Sequence, residues 1–121
     1  MSNSAQHHAI NYVEFSATDV GRVKEFYGSV FGWEFQDWGP EYVSFSKASA
    51  GIEGGFRLGD ESGRSDGCAP LIVLYSRDLA ATETAIVSGG GNIVVPTFEF
   101  PGGRRFHFAD GLGNVLAVWS E

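Results

Sequence analysis

The side chains able to move a proton or hold a charge against an apolar surface are few, and they fall in strand-like runs. Glu14 lies in INYVEFSA and His107 in RRFHFA. A carboxylate and an imidazole serve as general base or acid near neutral pH, so Glu14 and His107 are the candidate catalytic residues. Arg105, two residues before His107, shares its strand face and supplies a permanent cation. Tyr12, Tyr75 and Trp119 offer flat surfaces with a polar edge, against which a small ring can stack. Glu53, beside the Gly54-Gly55 pair, is a further carboxylate and the one weak candidate for a metal ligand. Each residue also has a plainer role. The three aromatics equally suit a dimer interface, Glu14 equally suits an ion pair with Arg105, and a lone strand histidine is commonly a hydrogen-bonded bystander.

Other chemistries are excluded by residue type. Cys68 is the single cysteine, so neither an internal disulfide nor a thiol-rich zinc site is expected. His7-His8 is too short for a metal tract. Neither Gly54-Gly55 nor Gly102-Gly103 leads into a helix, so neither is a phosphate loop. Eight basic residues against fifteen acidic give a net charge of −7. That balance excludes general nucleic-acid binding and disfavours anionic membranes, while a cationic small molecule would be welcome. No apolar run nears the ~20 residues of a membrane span, and residues 1–8 read as a flexible polar tail without a signal-peptide core. A cytoplasmic location is the expectation.

The chain is 121 residues long, enough for one domain with a real core. Its 17 glycines beside 17 aromatics suggest short strands and tight turns closing on a pocket or interface. Residues 10–17 alternate as a strand, and Thr18 or Asp19 then caps a helix over 20–31 that Gly32 stops. Strands are expected at Trp33–Trp38, Tyr42–Lys47 and Ile52–Leu58. A polar, glycine-containing linker, 60–69, follows. The order then recurs: a strand Leu71–Ser76, a helix opened by Asp78 and closed by Gly89-Gly90-Gly91, and strands Asn92–Val95, Arg104–Ala109 and Val115–Trp119. Asp110 to Asn114 form the last turn. Asp19 and Asp78 are 59 residues apart, and the helix-ending glycines repeat that shift. The sequence is therefore two βαβββ modules, about 9–59 and 70–120, within a single domain 9–120.

Strand parity sorts their faces. Val13, Phe15, Ile72, Leu74, Phe106, Phe108, Leu116 and Val118 should face the helices. Tyr12, Glu14, Leu71, Val73, Tyr75, Arg105, His107, Ala117 and Trp119 should line the opposite face, a cleft walled by aromatics.

Three segments carry a resemblance: Thr18-Asp19-Val20 opening the helix, the run Phe26-Tyr27 to Phe31-Gly32-Trp33, and the ending Phe108-Ala109-Asp110-Gly111-Leu112-Gly113-Asn114-Val115. With them, residues 9–120 resemble the vicinal oxygen chelate superfamily, which holds glyoxalase I, bleomycin-resistance proteins, fosfomycin-resistance enzymes and extradiol dioxygenases. The resemblance implies an α+β fold: an eight-stranded mixed sheet curved around a concave cleft, helices outside, usually in a homodimer that pairs or swaps modules. It also implies a divalent metal held from the concave face. The corresponding places here are Tyr12, Leu71, Ala117 and one residue within Ile52–Phe56, where Glu53 or a glycine stands. Leucine and alanine have no donor atom, so no cofactor is expected and a divalent metal is disfavoured.

Three functions follow as expectations. A metal-free cleft could bind an aromatic or cationic small molecule, as the bleomycin-resistance branch of that superfamily does. A lyase or isomerase of the lactoylglutathione lyase type could act on a 2-oxoaldehyde adduct with Glu14, Glu53 or His107 as base. Third, the domain could serve assembly or regulation, with the concave face filled by a dimer partner.

Overall fold

A computed structural model of the protein describes residues 7–59 and 70–121. Its elements are β1 (Tyr12–Ala17), α1 (Val20–Phe31), β2 (Phe35–Asp37), β3 (Tyr42–Phe45), α2 (Lys47–Ala50), β4 (Glu53–Leu58), β5 (Val73–Tyr75), α3 (Leu79–Ser88), β6 (Asn92–Phe100), β7 (Gly103–Ala109) and β8 (Val115–Ser120). This is the βαβββ order twice, with α2 as an extra turn in the first module. The linker 60–69, with Cys68, and residues 1–6 of the tail lie outside the described residues.

The internal repeat is built from matching caps. Asp19 accepts a hydrogen bond from Arg22 N at 3.2 Å, and Asp78 accepts one from Ala81 N at 3.1 Å. Each carboxylate satisfies an amide that the first helical turn leaves open. Gly32 closes α1 at φ 75°, a left-handed conformation that a side chain disfavours, and its N–H reaches Gly28 O at 3.1 Å.

The strands form two sheets of four, ordered β1-β4-β3-β2 and β5-β8-β7-β6. In each, the module's first strand pairs parallel with its last, and the other pairs are antiparallel. The expected single eight-stranded sheet is thus divided, since among the described residues no strand of one module bonds to a strand of the other. Side chains join the modules instead. On α1, the Tyr27 ring lies 5.0 Å from Phe56 of β4, while Phe26 and Phe31 lie 6.2 Å and 5.9 Å from Phe108 of β7. One helix therefore faces both sheets, and all of these rings belong to one core with Trp33, Phe106, Leu116 and Val118. The turn after β7 adds polar links: Asn114 Nδ2 donates to Ser16 O at 2.9 Å, and Thr18 N donates to Leu112 O at 3.1 Å.

Several boundaries differ from expectation. Trp33 sits in the core rather than in a strand, stacked on Tyr27 at 5.0 Å. The strand from Tyr42 stops at Phe45 because Ser46 caps α2, accepting from Ser49 N at 3.2 Å. The β5 strand begins at Val73, leaving Leu71 exposed ahead of it. The largest difference is β6, which passes Pro96 and continues to Phe100. It lies at the sheet edge, and its pairing with β7 shifts between Ile93 and Val95 and again between Val95 and Phe98. An edge position with irregular pairing accommodates the amide that proline lacks.

Candidate functional site

The outer face of the first sheet carries a hydrogen-bonded cluster. The Tyr42 hydroxyl donates to Glu14 Oε1 at 3.1 Å and also bonds the Tyr12 hydroxyl. Arg57 Nε lies 3.4 Å from Glu14 Oε2, with both side chains about half exposed, so this pair adds little stability. The expected ion pair between Glu14 and Arg105 is not formed, because Arg105 stands on the other sheet. Tyr42 crosses the sheet over Gly55, where a Cβ would fall 2.4 Å from its hydroxyl. A Cβ on neighbouring Gly54 would strike Phe45 on the core side. The glycine pair is thus a thin place in β4 with an aromatic ring on each side. Burial, then the bonds to Tyr12 and Glu14, hold the Tyr42 phenol well above its usual range, so it stays protonated.

The outer face of the second sheet is aromatic. Register sets Val73, Ala117 and His107 in one row and Tyr75, Trp119 and Arg105 in the next. The ring of Trp119 lies 5.2 Å from Tyr75 and 6.3 Å from Phe100. Arg105 Cζ lies 5.3 Å from the Phe98 ring and 5.5 Å from the Phe100 ring, and Phe98 is 5.8 Å from His107. Val73, Phe100, Gly102, Arg105 and Trp119 line an open cavity of about 270 Å³ at the surface. At its margin the Tyr75 hydroxyl donates to Glu121 Oε1 at 2.6 Å. That bond raises the Tyr75 phenol and lowers the Glu121 carboxyl.

Two polar atoms on this face lack partners among the described residues, Arg105 Nε and His107 Nε2, and both are buried. Burial and then the Arg105 charge hold His107 below the ordinary histidine value of 6.5, so its imidazole is neutral at pH 7. A larger depression, about 460 Å³, runs along α3 past Ala80, Glu83, Thr84, Val87 and Ser88. It holds one titratable group and none of the aromatic rings, so the chemistry lies elsewhere.

The structure thus sorts the sequence candidates onto two faces. Tyr12 and Glu14 meet on the first sheet. Val73, Tyr75, Arg105, His107, Ala117 and Trp119 meet on the second, with Ala117 fully buried between Val73 and His107. Leu71 lies exposed ahead of β5. Among the described residues no hydrogen bond or ion pair joins Glu14 to His107. Sequence reasoning did not single out Tyr42, Arg57, Phe98 or Phe100. Parity places Tyr42 on the outer face, opposite Val43 and Phe45, so that residue had a signal. Phe98 and Phe100 lay beyond Pro96, where the strand was taken to end.

The four places where the resemblance puts metal ligands supply few donors. Tyr12 is bound to Tyr42, and Glu53 Oε2 accepts from Lys47 N at 3.2 Å. Leu71 and Ala117 offer none. Among the described residues, no three His, Cys, Asp or Glu side chains are gathered where they could hold an ion. Of these places, Tyr12 and Glu53 supply the donor atoms, fewer than the three protein ligands a divalent site usually takes. Nor is any helix among the described residues long and apolar enough to cross a membrane.

Known proteins share this architecture. "Putative glyoxylase CFP32" of Mycobacterium bovis is 26% identical over 121 residues, covering 90% of this chain and 44% of that protein. The chain thus spans less than half the length of that relative. A glyoxalase-related enzyme from Fulvimarina pelagi superposes with a TM-score of 0.76 at 18% identity, over 95% of this chain and 89% of that one. A mutant of the fosfomycin resistance protein FosX from Listeria monocytogenes, solved with Mn(II) and 1S,2S-dihydroxypropylphosphonic acid, gives 0.77 at 15% identity, over 94% and 90%. These likenesses extend the fold, and a family model matches residues 9–118. With its twofold βαβββ order and matching caps, the chain belongs to the Glyoxalase/Bleomycin resistance protein/Dioxygenase superfamily.

Proposed function

We propose that this domain binds a small, flat organic molecule on the outer face of its second sheet, and does so without a metal. The observation that carries this reading is the cavity of about 270 Å³ walled by Trp119, Phe100 and Val73, with Arg105 at its side. That volume lies near the lower end of ligand pockets and suits one or two fused rings. Stacking on Trp119 would supply affinity, and a few polar atoms would fix orientation. His107, neutral and with Nε2 unpartnered among the described residues, is the group on this face best able to accept a proton. A lyase of the lactoylglutathione type is less well supported, because the family's ligand places supply only Tyr12 and Glu53 as donors and no cluster of three His, Cys, Asp or Glu side chains gathers among the described residues.

The protein is read as a homodimer. Tyr12, Val73 and Tyr75 are exposed large side chains on the two outer faces, and burying such surface stabilises association. A second copy that sets its first-sheet face opposite this second-sheet face would bring Glu14 and His107 to one cleft.

Calorimetric titration with 2-naphthol tests the binding site. Saturable binding, weakened about tenfold or more in Trp119→Ala, is expected from loss of a stacking wall. No binding by any naphthalene derivative, or unchanged binding in the variant, overturns it. Elemental analysis of purified protein tests the metal-free reading, which one tightly held divalent ion per chain overturns.

A further inference from the structure

We infer that the cavity beside Trp119 selects planar aromatic carboxylates, the carboxylate taken by the Arg105 guanidinium and the ring by Trp119 and Phe100. This rests on the proposed small-molecule site and names the chemistry that site prefers. A guanidinium carries five N–H donors and no acceptor, so a buried one needs oxygen partners. Arg105 has its Nε buried without a hydrogen bond, and it makes no ion pair among the described residues. Its nearest companions are the Phe98 and Phe100 rings at 5.3 Å and 5.5 Å from Cζ. They attract the cation weakly and shed water from it, but they offer no oxygen.

Arg57 on the first sheet makes the contrast, since it already holds a carboxylate, Glu14 Oε2, at 3.4 Å. The acids nearest Arg105 in the sheet are engaged or directed elsewhere. Glu121 takes the Tyr75 hydroxyl at 2.6 Å, and Glu99 stands opposite Arg104 in the β6–β7 register. With Nε buried and unpartnered, the Arg105 guanidinium would gain from an incoming carboxylate the acceptor it lacks, through two parallel charge-assisted bonds. A cationic ligand would instead set like charges together. The overall charge of −7 does not reverse this, because exposed charges beyond about 10 Å are largely screened while Arg105 borders the cavity itself.

The test compares three probes of one shape by calorimetry: 2-naphthoate, neutral 2-naphthamide and cationic 2-naphthylmethylammonium. The full chain should bind 2-naphthoate about tenfold or more tightly than 2-naphthamide, the ratio expected for one charge-assisted pair. It should bind the ammonium compound most weakly. Arg105→Met, which keeps an apolar stem, should erase the preference, and Arg105→Lys should restore part of it. If the amide or the ammonium binds wild type as well as 2-naphthoate, the selectivity is overturned while the cavity stands as a binding site. If no naphthalene probe binds, both readings fall. The wild-type probe series decides the matter even if Arg105→Met does not fold.

Discussion

The Tyr27 hydroxyl donates to Asp110 Oδ2 at 2.8 Å, joining α1 of the first module to the last turn of the second across 83 residues of chain. Asp110 is fully buried, and the same carboxyl group also accepts from Leu112 N, Asn114 N and Asn114 Nδ2. One side chain thus closes its own turn and anchors it to the other module. Asp110→Ala removes the acceptor of Leu112 N and Asn114 N inside a buried turn, and the tie to Tyr27, and should cost about 3 kcal/mol. Tyr27→Phe keeps the ring contacts with Trp33 and Phe56 and should cost about 1 kcal/mol. Urea unfolding of the two variants checks the order, and equal losses would contradict it.

Alanine at the neighbouring glycines of β4 should separate the two sides of that strand. At Gly54 the added Cβ meets both the buried Phe45 ring and Val13 O, so Gly54→Ala should lose about 3 kcal/mol by overpacking. At Gly55 it meets the outer end of Tyr42, which can swing away, so Gly55→Ala should lose about 1 kcal/mol. The second variant should also part Tyr42 from Glu14, with Tyr42 then titrating closer to an ordinary phenol. Thermal unfolding and ultraviolet phenol titration measure the two effects.

Stability should depend on pH through His107. Its pKa is lowered in the folded state by burial and by Arg105, so near and below 6.5 the unfolded chain binds more protons than the folded one. The stabilisation is present above pH 6.5 and is lost as pH falls toward the lowered folded value. His107→Gln removes that dependence, so its melting temperature should fall less than that of wild type between pH 7 and pH 5. A steeper fall in the variant would reverse the sign argued here.

Trp119 distinguishes binding from association. On the proposed reading, Trp119→Ala weakens 2-naphthol binding about tenfold, while sedimentation still shows the wild-type oligomer. A shift of the variant to monomer with unchanged 2-naphthol affinity would assign this face to a partner surface.

Much of the architecture was legible because it repeats. Asp19 and Asp78 are both helix caps, and alternation placed Phe106 and Phe108 inward and Arg105 and His107 outward. Division into two sheets was not legible, since strand-edge pairing is made by backbone atoms and leaves no side-chain pattern. Pro96 was read as an end where it is an irregularity on an edge strand. Gly54 and Gly55 were placed within the expected strand Ile52–Leu58 but given no packing reason, so the passage of Tyr42 over one of them went unseen. Arg57 was missed as the partner of Glu14 because that contact depends on β1 and β4 lying side by side. The net charge points to a cationic ligand, whereas the proposed preference for a carboxylate rests on Arg105 beside the cavity.

The shared helix core has a consequence for the order in which the protein is made. Phe26 and Phe31 are translated well before their cover, Phe108, some eighty residues further along the chain. A chain stopped before β7 would therefore keep the Tyr27 contact with Phe56 but leave Phe26 and Phe31 without their Phe108 cover. Such nascent intermediates are the stage at which this protein most needs a chaperone, and stalled chains ending before β7 should be captured by one far more than the finished domain.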